Sequence, residues 1–407
     1  ELAMKLEHER DLDGAGVAFG LDFQDKRRRA SLSVSEVDTD EEGAALPPYE
    51  DFDVFASRIE ERRLDPYLMF DGDRGSLQWE AGLRYEMTDA DIHHDGNTYR
   101  QDYGLLLPSA HLRWAMSDAD RLSLSLARSL RRPNFNHLDP TLLEGEFGDN
   151  DFIGNPLLAP ETANGIDLGF EHRIGARGII GVNVFYRDVS DLIELVNTGE
   201  PSDEAIGDYE DDVEEFLDDN PGADENSPGY PEFDPDSFVY TAANVGDGEV
   251  YGIEFDVSMP LTAFGLENTG VFANASWLDS RVDDAIGERR FNDQARYVYN
   301  LGFIHSFDEA GVSFGASYRK QGAAESRVLA EEVRTEYGAD LEAFVEKRFG
   351  EKLVLRLTGS NLLDASKDEF FDKFDTLADQ IDRDYDEYEL ETERSGRVWQ
   401  LMLRYAF

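Results

Sequence analysis

Residues of opposite character alternate along most of the chain. In the last segment Trp399, Leu401, Leu403, Tyr405 and Phe407 share one face, and Val398, Gln400, Met402, Arg404 and Ala406 the other. Tyr297, Tyr299, Leu301 and Phe303 oppose Arg296, Asn300, Gly302 and Ser306, and the next segment repeats the scheme with Phe314, Ala316 and Tyr318 against Ser313, Gly315 and Ser317. Upstream, Leu77, Trp79, Ala81, Leu83 and Tyr85 stand against Gln78, Glu80, Gly82, Arg84 and Glu86. A period of two is that of a strand with one apolar face. Soluble sandwiches alternate as well, but three details favour a membrane barrel. The segments run about 9–12 residues, enough for a tilted strand to cross a bilayer. Aromatics gather at the ends of the apolar face, as interfacial girdles require. The other face holds Arg, Glu, Asp, Gln and Asn, which a dry core would not accept unpaired.

The connections point the same way. Asp11–Gly16, Gly72–Gly75, Ser117–Asp120, Gly175–Gly178, Asp308–Gly311 and Gly350–Lys352 read as short turns. Long polar stretches near 26–62, 88–103, 133–164, 190–249, 281–294, 320–336 and 365–395 read as loops. Short turns on one side and long loops on the other are the asymmetry of outer-membrane barrels. About fifteen strands result, an odd number. Bacterial single-chain barrels have even counts, so the reading expects further strands ahead of Glu1.

Composition removes other classes. Mean hydropathy is −0.52, and no apolar run approaches the roughly 20 residues of a spanning helix. The 88 acidic and 38 basic side chains leave a formal charge of −50, which repels nucleic acid. With no cysteine there is no disulfide, thiolate nucleophile or zinc–sulfur site.

Several motifs then resemble those of TonB-dependent outer-membrane receptors. Gly154-Asn155-Pro156-Leu157-Leu158-Ala159-Pro160-Glu161 is similar to the family's "GNP-x-L-x-PE" loop, and Arg131-Arg132-Pro133 to its "R-x-P" strand end. Asn244-Val245-Gly246 with Tyr251-Gly252-Ile253-Glu254 resembles "N-x-G … GxE", and Asn361-Leu362-Leu363-Asp364 resembles "NLxD". The aromatic run ending on Phe407 is similar to the signal read by the barrel assembly machinery. The resemblance implies an all-β, transmembrane antiparallel barrel over 1–407: about the last fifteen strands of a 22-stranded barrel, with short periplasmic turns and long acidic extracellular loops. It implies an outer-membrane receptor, not an enzyme, for a ferric siderophore, haem, cobalamin or an oligosaccharide. The plug domain and the first strands are missing from the chain, and the TonB complex would act through that missing part. Membrane lipid, lipopolysaccharide and a small-molecule ligand are the other partners, and no bound cofactor is implied. A passive porin or structural barrel is the alternative. The prolines, glycines, Asn361 and Asp364 of these motifs read as architecture, stopping ladders and shaping loops.

No catalytic constellation is visible. His93, His94 and Asp95 form a weak candidate for a metal site. From Asp188 to Ser280 there is no Lys or Arg, and 207–219 reads as a solvated loop or short acidic helix. Acidic loops do not attract an anionic chelate, so an inner basic patch would have to hold one. Arg132, Arg187 and Arg319, near the outer strand ends, are the candidates. Tyr230, Phe233, Phe238 and Tyr240, and the cluster Phe370, Phe371 and Phe374, could stack on a sugar or catecholate.

Overall fold

The computed structural model describes residues 1–12, 14–34, 53–147, 150–284, 286–374 and 376–406. Strands β1 (Leu2–Leu12), β2 (Ala15–Val34), β3 (Asp53–Arg74), β4 (Leu77–His94), β5 (Asn97–Ala115) and β6 (Asp120–Arg131) come first. Then follow a one-turn helix α1 (Phe135–Leu138), the short β7 (Leu142–Phe147) and β8 (Asn150–Ile153), and the long β9 (Glu161–Ile174) and β10 (Gly178–Pro201). Helix α2 (Asp203–Asp219) leads to β11 (Phe238–Leu261), β12 (Leu266–Asp284), the short β13 (Gly287–Arg289), β14 (Tyr297–Phe307) and β15 (Val312–Gln321). The hairpin β16 (Ala324–Val328) and β17 (Glu331–Tyr337) precedes β18 (Asp340–Phe349) and β19 (Leu353–Ser360). Last come β20 (Ser366–Lys373), α3 (Leu377–Asp382), β21 (Glu387–Arg394) and β22 (Val398–Tyr405).

Fifteen of these strands pair in chain order as one antiparallel meander: β1 to β6, β9 to β12, β14, β15, β18, β19 and β22. The count therefore matches the alternation. Among the described residues β1 pairs only with β2 and β22 only with β19, so the sheet is not closed. A seventh short turn, unannounced by the pattern, joins β11 to β12. It is a 3₁₀ turn at Thr262–Phe264, finished by Gly265 at φ 76°, a left-handed angle that glycine adopts without steric cost.

The long polar stretches are more ordered than expected. Residues 88–103 are not a loop at all: β4 and β5 continue through them in register and close on the two-residue turn Asp95-Gly96, at φ 45° and 80°. Two positive φ angles are what a tight hairpin turn needs, and Asp-Gly supplies them. Residues 26–34 and 53–62 likewise extend β2 and β3. The stretches near 320–336 and 365–395 build a separate four-stranded sheet, β16-β17-β20-β21. The acidic run is helix α2, capped by Ser202, whose Oγ accepts from the Ala205 amide at 3.1 Å.

Burial divides long strands such as β4 into two parts. In β4 the odd positions Leu77 to Met87 are apolar and the even ones polar; then the odd positions become Asp89, Asp91 and His93, while Ala90 and Ile92 are buried on the other side. The change occurs within one row. Phe23, Leu64, Met87 and Gly104 are cross-strand partners, and one pair further on lie Asp25, Arg62, Asp89 and Asp102. Around the sheet, Leu126, Ile166, Tyr186 and Tyr251 give way to Arg128, Asn164, Asp188 and Glu249. Below the boundary large apolar side chains such as Leu83, Leu106 and Leu168 are exposed. Above it Ile59, Ile92, Leu138, Leu158, Ile193 and Ala242 form a closed core against Tyr99 and Phe135.

Candidate functional site

The motif residues of 131–161 and 244–246 meet in the outer half, above the boundary row, whereas Gly252 and Glu254 lie below it on β11. Arg131 and Glu161 are cross-strand partners on β6 and β9, with an ion pair at 2.6 Å, and Arg131 also donates to the Ile193 carbonyl. Pro133 is buried where β6 ends. Gly154 has room for nothing more: a Cβ there would lie 2.3 Å from the Asp139 carbonyl oxygen. Asn155 donates to the Ala242 carbonyl at 3.2 Å, while Asn244 accepts from the Ala159 amide at 2.9 Å and donates to the carbonyls of Ala159 and Asp191. Gln101 reaches the carbonyls of Pro156 and Leu158, and Pro160 is buried. Two asparagines and a glutamine thus satisfy the backbone of a segment that pairs with no strand, as buried polar groups require. Gly246, at φ 134°, sits where the β10–β11 register shifts. Gly252 lies under the Phe185 ring, and Glu254 accepts from Asn183 at 3.1 Å. Asn361 bridges to the Gly396 carbonyl and accepts from the Ala365 amide, and Asp364 donates to the Asn361 carbonyl. Phe407 lies outside the described residues.

The three proposed arginines stay apart. Arg132 pairs with Glu86 and belongs to a chain of charges on the polar face: Arg63 meets Asp65 at 2.8 Å, and Arg84 bridges Asp65 and Asp22. Asp65 is fully buried, and a buried charge must be paired. Arg187 grips Asp167 with two hydrogen bonds of 2.8 and 2.9 Å. Arg319 makes a long 3.4 Å contact with Gln321. His93 and His94 are consecutive strand residues and point to opposite sides, so they cannot chelate together. His93 contacts Thr98, and His94 contacts Asp95 and Thr141. No group of three metal-capable side chains occurs among the described residues.

The aromatic candidates divide into three environments. Tyr230 and Phe233 pack edge-on against Phe216 and Tyr209 of α2, at 5.6 and 5.0 Å. Phe238, Tyr240, Phe371 and Phe374 come together from two distant segments around a cavity of about 590 Å³. Phe370 faces the other side of the small sheet, beneath Arg334 at 5.9 Å. Alternation explains the split, because Phe370 and Phe371 are neighbours in one strand.

The small sheet is therefore two-sided. Its first face joins the core of Phe152, Tyr240 and Val328 and lines the larger cavity with Asp234, Asp236, Glu331, Asp386, Glu387, Glu389 and Glu391 against the single Lys373. Burial pushes the Glu331 carboxyl above its ordinary range, opposed by Lys373 and Tyr240; burial, reinforced by Glu331, pushes the Tyr240 phenol up as well. Its second face lines a cavity of about 540 Å³ with Arg289, Arg290, Arg296, Arg327, Arg334 and Arg383, against Glu288, Glu325, Glu332 and Asp372. Sequence reasoning missed these six arginines. They lie in three separated segments, which strand pairing in the small sheet and the Asn292–Arg327 hydrogen bonds bring to one cavity. The β16–β17 hairpin is held from several sides. Asn197 donates to the Leu329 carbonyl, Asn292 exchanges hydrogen bonds with Arg327, and the buried Gln380 of α3 bonds Val328 and Ala330.

A sequence model of the family described as TonB dependent receptor-like, beta-barrel, matches residues 3–362. Among solved structures, the ferric citrate transporter FecA in the unliganded form superposes with TM-score 0.61 at 12% identity, over 99% of this chain and 53% of that one. The copper transporter OprC gives 0.64 at 14%, over 100% and 56%. The FrpB iron transporter from Neisseria meningitidis (F5-1 variant) gives 0.56 at 12%, over 99% and 55%. At such identities the likeness is one of fold. The chain spans about half the length of these structures.

Proposed function

Since the chain belongs to the TonB-dependent receptor β-barrel family, we propose that it is the barrel portion of an outer-membrane receptor that takes up a scarce, bulky nutrient with energy from the TonB complex. The observation that carries this reading is the single boundary row. Below it the exposed apolar face suits lipid. Above it the strands, the clamped 154–160 segment and the small sheet form an extramembrane head with two cavities. The free edges of β1 and β22 fit a barrel completed by further strands, and the matched structures are about twice as long. In this reading the head lies outside the cell and the seven short turns in the periplasm, as in barrels with one short-turn side. Ferric, copper or other chelates are the cargo classes in view, since two of the similar structures carry iron and another copper by name.

The test is genetic. Deleting the gene, and separately disabling TonB, should abolish accumulation of the same labelled nutrient from a panel of metal chelates. Accumulation that persists without TonB, together with steady conductance in a planar bilayer, would instead identify a passive pore.

A further inference from the structure

We propose that the cavity on the second face of the small sheet is an oxyanion site for a ligand bearing several carboxylate or phosphate groups, and that Arg296 is its specificity-determining residue. The inference rests on the reading of the outer head as the cargo-collecting region. Guanidinium groups recognise such oxygens through paired N–H donors. At about 540 Å³ the cavity is within the range of small-molecule sites.

The pairing of the six arginines shows which of them can turn to a ligand. Arg289 is nearly buried and held by Glu194 at 2.7 Å and Asp284 at 2.6 Å; Arg290 is held by Asp279 at 2.7 Å. These two are structural. Arg327 and Arg383 share Glu332, at 3.0 and 3.1 Å, and Arg334 pairs with Glu336. These pairs are partly exposed and hence weak, so an incoming oxyanion can replace a carboxylate at modest cost. Arg296 is exposed and makes no ion pair or side-chain hydrogen bond among the described residues. Arg296 thus brings to the cavity a guanidinium that no carboxylate of the described residues holds. Phe370 and Tyr388 line the same cavity and offer aromatic surface to the uncharged body of the ligand. On the far side of the sheet, the seven-carboxylate wall repels the same anion. The sheet thus admits an oxyanion to one face only.

Binding is measured by calorimetry on the purified full-length protein in detergent, with citrate and tripolyphosphate as probes and a neutral trisaccharide as control. At least one anion should bind saturably and the control should not; the tighter anion identifies the carboxylate or the phosphate source. Arg296→Ala should weaken binding about tenfold, Arg296→Lys should restore part of it, and Glu389→Gln on the opposite face should leave it unchanged. Unaltered heat-modifiable migration of the variants shows that the barrel is intact. Saturable binding of neither anion, or equal affinity in Arg296→Ala, would overturn the proposal. Neither result depends on TonB, so loss of binding with uptake preserved sinks the oxyanion site alone.

Discussion

Strand β4 exposes Leu83 and Tyr85 on one side and, a few residues later, buries Ile92 on the other. The two halves of the strand share backbone geometry and hydrogen-bond register and differ only in what surrounds them. In the lower half the surroundings are apolar and the interior is wet, so apolar residues face out and Arg84 and Glu86 face in. In the upper half water lies outside, and an ordinary dry core forms inside from Ile59, Ile92 and Leu158. One backbone thus follows membrane rules for one part of its length and soluble rules for the rest. Alternation reports only that the two faces differ; which face is greasy has to be read locally.

Reversing the polarity of each half should separate them. A large effect is expected for Leu83→Arg, which places a cation against hydrocarbon at a cost of about 2–4 kcal/mol; Asp102→Arg, outward but above the boundary and opposite Asp89, should stay within about 0.5 kcal/mol. Urea-dependent folding into lipid vesicles measures both, and equal costs would erase the distinction between the halves. Of similar size is Ile92→Ala, expected to cost about 2–5 kcal/mol from the lost core volume. Amide exchange should quicken at the tips of β3, β4 and β5 while the lower half keeps its protection. A smaller change, about 1–3 kcal/mol, is expected for Asn244→Ala, which frees the 154–160 segment from β11; proteolysis near Leu157 would register it.

The mildest test uses pH. The Glu331 carboxyl is raised by burial, so the folded head holds its proton more tightly than the unfolded chain does. That contribution is complete below the unfolded value near 4.5 and is lost as pH rises through the folded value. Exchange of β17 amides, corrected for intrinsic rate, should therefore be slower at pH 5 than at pH 8. Glu331→Gln should flatten the dependence.

The lower half was legible because lipid imposes one rule on many strands. Fifteen strands and six of seven short turns follow from period-two runs ending at Gly and Asp. The turn at Thr262–Phe264 escaped because Leu261, Ala263 and Phe264 carry no polar cluster to mark it. The upper half was less legible. Thr88 to Tyr103 looked like loop because Asp89, Asp91 and Asp102 face water outside, although Asp95-Gly96 carries a hairpin signal. The motif residues Arg131, Glu161, Asn155 and Asn244 proved to be neighbours in space. The arginine cavity could not be read, because Arg296, Arg334 and Arg383 come from three distant segments and only Arg334 lies in a strand.

The charged row running from Asp25 through Arg62 and Asp89 to Asp102 works as a waterline. A strand that slid downward by one residue pair would submerge several of these charges at once, so the row fixes the depth at which the molecule floats. Lengthening above it meets no such limit. New residue pairs can be added to a hairpin tip, or a whole small sheet inserted between two strands, without changing how the hull is seated. A lineage built on this plan can exchange its superstructure freely while the part immersed in the bilayer stays as it was.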